Sequence, residues 1–228
     1  MGNFVISEEV FDRIQGLIVI SGLLKVGKPA KEAIATYLND SWKKLSQEVS
    51  KYGYKNYPLI AQWREALRSA GVPLKRCPPS IEAIAKRASK INAPFSINPV
   101  VDTYNAISMD LVLPFGAFDT KQLDGPLYLR VSNGHEPFMP LGSEEPQETE
   151  KGEIVYADAT DILTRHFLWR QAEKGKITEQ TTECIFLCEL LESMGEETVQ
   201  RGTRLIEDRF VFLLDGSLSD VTIHKRSG

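Results

Sequence analysis

The stretch that most restricts how this chain folds is Ile97-Asn98-Pro99-Val100-Val101-Asp102-Thr103-Tyr104-Asn105. Val100, Val101, Tyr104 and Ile107 recur at the spacing of one helix face, and Asp102, Asn105 and Ser108 form an adjoining polar stripe. Asn98 offers a capping side chain ahead of this helix. Pro99 suits its first position, where a backbone N–H would have no partner in any case. Leu113 to Asp119 then reads as a turn leaving the helix. Leu123 to Val131 reads as a turn entering a strand, with Leu127, Leu129 and Val131 on one side and Tyr128 and Arg130 on the other.

Around this centre, Phe4 to Ile6 and Gly16 to Leu24 read as strands. Pro29 to Tyr52 predicts a long amphipathic helix with Ile34, Leu38, Trp42, Leu45 and Val49 on one face. Further helices are expected over Tyr57 to Ala70, with Trp63 and Leu67 inward, and over Ser80 to Lys90. Downstream, Ser143 to Lys151 reads as a flexible acidic loop, and Ile154 to Tyr156 and Ile162 to Trp169 as strands. Thr178 is expected to cap a helix from Ile177 to about Met194. A last helix over Glu196 to Leu214 and a closing strand near Val221 to His224 complete the chain. The expected fold class is α/β, a mixed β-sheet with flanking helices. It is expected to form a single unit over 1–228, helical and basic over 1–95 and sheet-rich over 96–228.

Charge is unevenly distributed. Before residue 96 the chain has 15 Lys and Arg against 8 Asp and Glu, and after it 12 against 23. That split is what a polyanion-facing lobe beside an acidic one would give, or else an ordinary solvated helical surface. The three cysteines, at 77, 184 and 188, have no paired spacing and read as buried thiols rather than as disulfides or a metal site. Leu17 to Leu24 is too short to span a bilayer, so no membrane partner and a cytoplasmic protein are expected. Gly22 and Gly27-Lys28 imitate a phosphate-binding loop. However, Pro29 stands where that loop needs a hydroxyl and an N–H, so no nucleotide cofactor is expected.

The motif order, Asn98 to Asn105, Pro114 to Asp119, Gly125-Pro126 and His135 to Gly142, resembles the editing module (B3/B4 domain) of the phenylalanyl-tRNA synthetase beta subunit. It is still more similar to the freestanding relatives of that module, which Trp63-Arg64-Glu65, Pro79 to Ala83, Gly152 to Asp158 and Trp169-Arg170-Gln171 also match. The resemblance implies hydrolysis of the ester joining an amino acid to the terminal ribose of a mischarged tRNA, without metal or other cofactor. Such an ester is already activated. The protein has to position water and the carbonyl, stabilise an oxyanion and exclude the correct amino acid.

Carried over residue by residue, the module's Thr-Asn pair is Tyr104-Asn105 here, the implied catalytic positions, with Asp102 beside them for the substrate. Gly116 stands where the synthetase module has a histidine. Trp169, Arg170 and Gln171 replace a glycine-rich pocket wall. The glutamate that reads the substrate matches Leu187 in strict register, or Glu189 if the expected helix shifts by two residues. Lys86, Arg87 and Lys90 are the expected tRNA phosphate contacts. Acidic groups such as Asp102 and Glu189 would suit a guanidinium-like side chain, canavanine being one. Asp102 and Asn105 have a blander reading as local capping groups. Two other classes of function compete: a module that binds tRNA or a free amino acid without catalysis, and a small-molecule hydrolase. Salt dependence separates them, because phosphate-driven binding weakens steeply with salt.

Overall fold

A computed structural model describes residues 4–226. In chain order the elements are β1 (Phe4–Ile6), α1 (Glu8–Arg13), β2 (Leu17–Lys25), α2 (Lys31–Tyr52), α3 (Pro58–Ser69), α4 (Ser80–Ala88) and α5 (Pro99–Leu111). There follow β3 (Phe115–Asp119), β4 (Leu127–Val131), β5 (Pro137–Phe138), β6 (Gln147–Glu148), β7 (Ile154–Ala157), β8 (Ile162–Arg165) and β9 (Arg170–Gln171). The chain closes with β10 (Glu183–Leu191), α6 (Glu196–Leu214) and β11 (Ser217–Lys225).

Two sheets face one another. One is fully antiparallel, in the order β11-β2-β10-β3. The other runs β1-β4-β7-β8-β9 and is mixed, because β1 pairs parallel with β4. Helices α5 and α6 cover the outer face of the antiparallel sheet, where Tyr104 and Ile107 meet Ile20, Phe186 and Phe210. Its inner face packs on the second sheet through Val19, Ile185, Leu187, Leu129 and Tyr156, with Trp63 of α3 joining them. A third cluster holds α2, α3 and α4 to α5 through Trp42, Leu45, Ile60, Ile81 and Met109.

The central helix forms as its sequence dictates. Asn98 accepts the Val101 N–H at 3.0 Å, and Pro99 occupies the first turn. All five apolar residues expected on the inner face of α2 are buried. Val112, beyond the end of α5, takes a left-handed φ of 56° and turns the chain into β3.

The largest departure from expectation is that Ile177 to Met194 is not a helix. Thr178 and Thr181 shape a turn, and Glu183–Leu191 is the strand β10, between β2 and β3. Cys184, Phe186, Cys188 and Leu190 point to the helical side, while Ile185, Leu187 and Leu191 point to the other sheet. A strand buried on both faces needs apolar residues at nearly every position, so the alternation that marks a strand is missing. Cys184 and Cys188 are therefore two strand residues facing one core, both free thiols, and burial raises the Cys184 pKa to about 12. The acidic loop over Ser143 to Lys151 contains β6, paired with β5. The expected strand over Ile162 to Trp169 ends at Arg165, because His166 and Phe167 adopt left-handed φ values of 47° and 62°.

The two glycines of the segment that imitates a phosphate-binding loop have a packing role. A Cβ on Gly22 would come within 2.7 Å of the Phe186 ring, and one on Gly27 within 2.1 Å of the Asp215 carbonyl oxygen. These two glycines allow close approach inside the fold. Among the described residues no helix is long and apolar enough to cross a membrane.

Candidate functional site

At the open end of the sandwich the edge strands β3 and β9 face each other across a cavity of about 110 Å³. Antiparallel register sets Gly116 opposite Leu187, and Leu187 and Glu189, two apart on β10, share the face turned to this cavity. Opposite them, β7 contributes Tyr156 and β8 contributes Thr164. Phe167, Leu168 and Trp169 of the left-handed turn and Arg170 and Gln171 of β9 complete that side. The Gln171 side-chain amide reaches toward the Ala117 carbonyl at 3.5 Å, joining the two edges. Ser80 brings in the start of α4, and its backbone N–H donates to the Leu168 carbonyl at 2.8 Å.

The turn carrying three of these residues is held from behind. Glu153, with its side chain wholly buried, accepts from Arg165 Nε at 2.9 Å and Nη2 at 2.7 Å. It also accepts the His166 backbone N–H at 2.9 Å. Burial pushes the Glu153 carboxyl upward, but the Arg165 guanidinium and these N–H bonds outweigh it, and the net shift is down. The left-handed pair His166-Phe167 is thus fixed by a charged, hydrogen-bonded anchor.

Electrostatically the cavity is uneven. Glu189 is fully buried, and burial raises its carboxyl to about pKa 7, against the smaller opposing effect of the Tyr156 hydrogen bond. Tyr156 Oη donates to Glu189 Oε1 at 2.6 Å, and burial together with that carboxylate pushes the phenol well up. Arg170, half-buried at the rim, has no carboxylate partner among the described residues. The cavity therefore offers a carboxyl poised between its two forms, a guanidinium, an amide and the hydroxyls of Ser80 and Thr164, on an otherwise apolar wall.

Of the residues singled out in the sequence, the fold brings together Gly116, Trp169, Arg170, Gln171 and Glu189. It does not bring Tyr104, Asn105 or Asp102 to them, because α5 lies on the opposite face of the antiparallel sheet. Tyr104 is buried there, its ring stacked on Phe115 at 5.8 Å, and burial raises its phenol pKa. Asp102 accepts from Ser96 Oγ at 2.5 Å and the Ile97 N–H at 2.8 Å, the local capping role. Asn105 is half-buried on the same helix. Sequence reasoning passed over Tyr156, Thr164 and Ser80. For Tyr156 the only local signal was one hydroxyl within a strand buried throughout.

Lys86, Arg87 and Lys90 lie elsewhere, on a cleft of about 1030 Å³ bounded by α3, α4 and the chain between them. Arg87 sits over the Phe95 ring at 5.3 Å. As to metals, the carboxylates of Asp124, Asp158 and Asp161 lie within 4.8 Å of one another, the closest approach to a ligand set among the described residues. Lys174 Nζ fills that position, 2.7, 2.8 and 2.6 Å from the three, and serves as their counter-ion.

A family model described as the B3/4 domain matches residues 62–208, which include every residue lining the cavity. The phenylalanine–tRNA ligase beta subunit of Colwellia psychrerythraea is 35% identical over 88 residues, a stretch covering 39% of this chain and 11% of that protein. An N-terminal fragment of the phenylalanyl-tRNA synthetase beta subunit from Pyrococcus horikoshii is similar in fold, with a TM-score of 0.50 at 10% identity. The match covers 95% of this chain and 50% of that one. The chain thus spans half or less of each of these relatives.

Proposed function

The chain belongs to the B3/4 domain family, and on that premise we propose that it is a trans-acting aminoacyl-tRNA deacylase, hydrolysing the ester of a mischarged tRNA. The observation that carries this reading is convergence. Gly116, Trp169, Arg170, Gln171 and Glu189, scattered over the sequence, line one cavity with a buried carboxyl at its wall. An aminoacyl ester needs no strong nucleophile. It needs a held carbonyl, donors for the oxyanion and an oriented water. Arg170 and the Gln171 amide are the donors available. Ser80 and Thr164 can orient water, and Gly116 leaves room because a Cβ there would meet nothing within 4 Å.

Charge speaks to the amino acid. Glu189 supplies a carboxyl that a side chain with a guanidinium-like end, as in canavanine, would pair with. Lys86, Arg87 and Lys90 are the proposed tRNA contacts.

The test is deacylation of canavanyl-tRNA(Arg), tyrosyl-tRNA(Phe) and correctly charged controls. Selective loss of the canavanyl ester, abolished by Glu189→Gln, is expected. Survival of every ester would overturn the reading. A second reading, a module that binds tRNA or an amino acid without hydrolysis, has one observation in its favour. Gly116 carries no side chain where the synthetase module has a histidine, and tRNA binding with no ester loss would establish it.

A further inference from the structure

The large cleft has two features that a simple phosphate patch does not need. Its rim is cationic. Lys55, Lys75, Lys86 and Lys90 are exposed and have no carboxylate partner among the described residues, while Arg68 and Arg76 beside them are each paired with a glutamate, Glu65 and Glu150. The one acidic side chain in the lining, Glu82, is buried and held by Arg64 at 2.8 and 2.6 Å, so it does not offset that rim. Its floor is apolar, built from Val72, Leu74, Ala83, Ile91 and prolines 73 and 78, with the Tyr54 ring at one side. Volume places it at the upper end of small-molecule pockets, yet so many unpaired cations exceed what a small metabolite would neutralise.

We infer that this cleft seats the unpaired 3′ end of the tRNA, phosphates on the lysine rim and bases on the apolar floor. The identity of the RNA rests on the deacylase reading above. Duplex RNA presents phosphates and 2′-hydroxyls and keeps its bases stacked inside, so it has nothing to lay on an apolar floor. Unpaired nucleotides offer both a charged backbone and exposed base faces. One helix borders both the cleft and the small cavity. Helix α4 lines the cleft with Ala83, Lys86 and Arg87, and its first residue, Ser80, lines the cavity and is bonded to the Leu168 carbonyl of the cavity wall. Nine residues of helix span about 13 Å. A strand lying along α4 therefore runs from the lysine rim to the proposed ester site.

The experiment compares two RNA hairpins with the same duplex, one carrying an unpaired ACCA 3′ tail and one blunt, in binding titrations at several salt concentrations. The tail is expected to strengthen binding by about tenfold or more. Lys75→Glu/Lys90→Glu is expected to erase that gain and to flatten the salt slope by one to two, given a slope of about 0.7 per phosphate on single strands. Both lysines are exposed, so an unchanged melting temperature accompanies the variant. Equal binding of tailed and blunt hairpins, or equal weakening of both by the variant, overturns the inference. Hydrolysis of a 3′-aminoacyl adenosine, which lacks the tail, separates this inference from the deacylase reading. Tail-dependent binding without ester cleavage leaves the cleft standing and removes the enzyme. Cleavage without tail dependence does the reverse.

Discussion

Tyr156 Oη donates a 2.6 Å hydrogen bond to Glu189 Oε1 across the gap between the two sheets, both groups fully buried. No cation accompanies this carboxyl in the cavity wall except Arg170 at the rim. Its ionisation is therefore costly, and the energetics of the site follow from that single pair.

Glu189 holds its proton more tightly folded than unfolded, with a pKa raised from 4.5 to about 7. Between those values the native state binds more protons than the unfolded chain, so this group's contribution falls as pH rises through that window. The loss approaches roughly 3 kcal/mol above it. His166 and His224, both shifted down by burial, act with the opposite sign nearby. The readout is therefore the difference between wild type and Glu189→Gln in chemical denaturation from pH 4.5 to 8. The variant is expected to gain on the wild type as pH rises, and a constant difference would refute the assignment. Tyr156→Phe should push the carboxyl higher still.

Gly116 is free to carry a side chain. Gly116→Ala is expected to be neutral or to stabilise by about 0.4–1 kcal/mol through the unfolded state. Gly116→Leu should fill the cavity and suppress ester hydrolysis with little change in melting temperature. Unimpaired hydrolysis by Gly116→Leu would place the reaction elsewhere.

Glu153 and Arg165 form a buried pair at the root of the cavity wall. Removing one partner strands the other, so Glu153→Gln is expected to cost about 3 kcal/mol in denaturant unfolding and to weaken hydrolysis by loosening the His166-Phe167 turn. Glu153→Met/Arg165→Met should recover much of the stability. A double variant worse than the single one would show that the pair itself is not the source.

Lys174 neutralises three aspartates that join the β3–β4 connection to the turn between β7 and β8. The Asp158 carboxyl is pushed up by burial but pulled lower overall, to about pKa 2, by backbone N–H groups and Lys174. Lys174→Met should destabilise the protein by about 2 kcal/mol or more and raise the Asp158 pKa, measurable by carboxyl NMR titration. An unchanged Asp158 titration would show that the N–H groups alone set it.

Neither Tyr104 nor Asn105 lines the cavity, so Tyr104→Phe, which keeps the ring stacked on Phe115, is expected to leave hydrolysis unchanged, and Asn105→Ala likewise. Loss of activity with an intact fold in Asn105→Ala would return the reaction to the central helix.

Local order was enough for much of this protein. The Asn98-Pro99 cap follows from local chemistry, and the apolar faces of α2 and α6 from spacing, because each of these two helices has one buried face and one wetter one; β2, buried almost throughout, is legible instead as a short β-branched apolar run. The two-residue ambiguity between Leu187 and Glu189 arose from reading β10 as a helix, on which residues two apart point to different sides. On a strand they share a face, and both line the cavity. A strand buried on both faces has no polar period to announce it, and only its neighbours β2 and β3 decide it. The same holds for the site. Which side of the antiparallel sheet α5 covers, and which side the turn at His166-Phe167 closes over, depends on long-range packing. That packing separated Tyr104 and Asp102 from Gly116 and joined Glu189 to Tyr156, a pairing between two strands that no local pattern in either one contains.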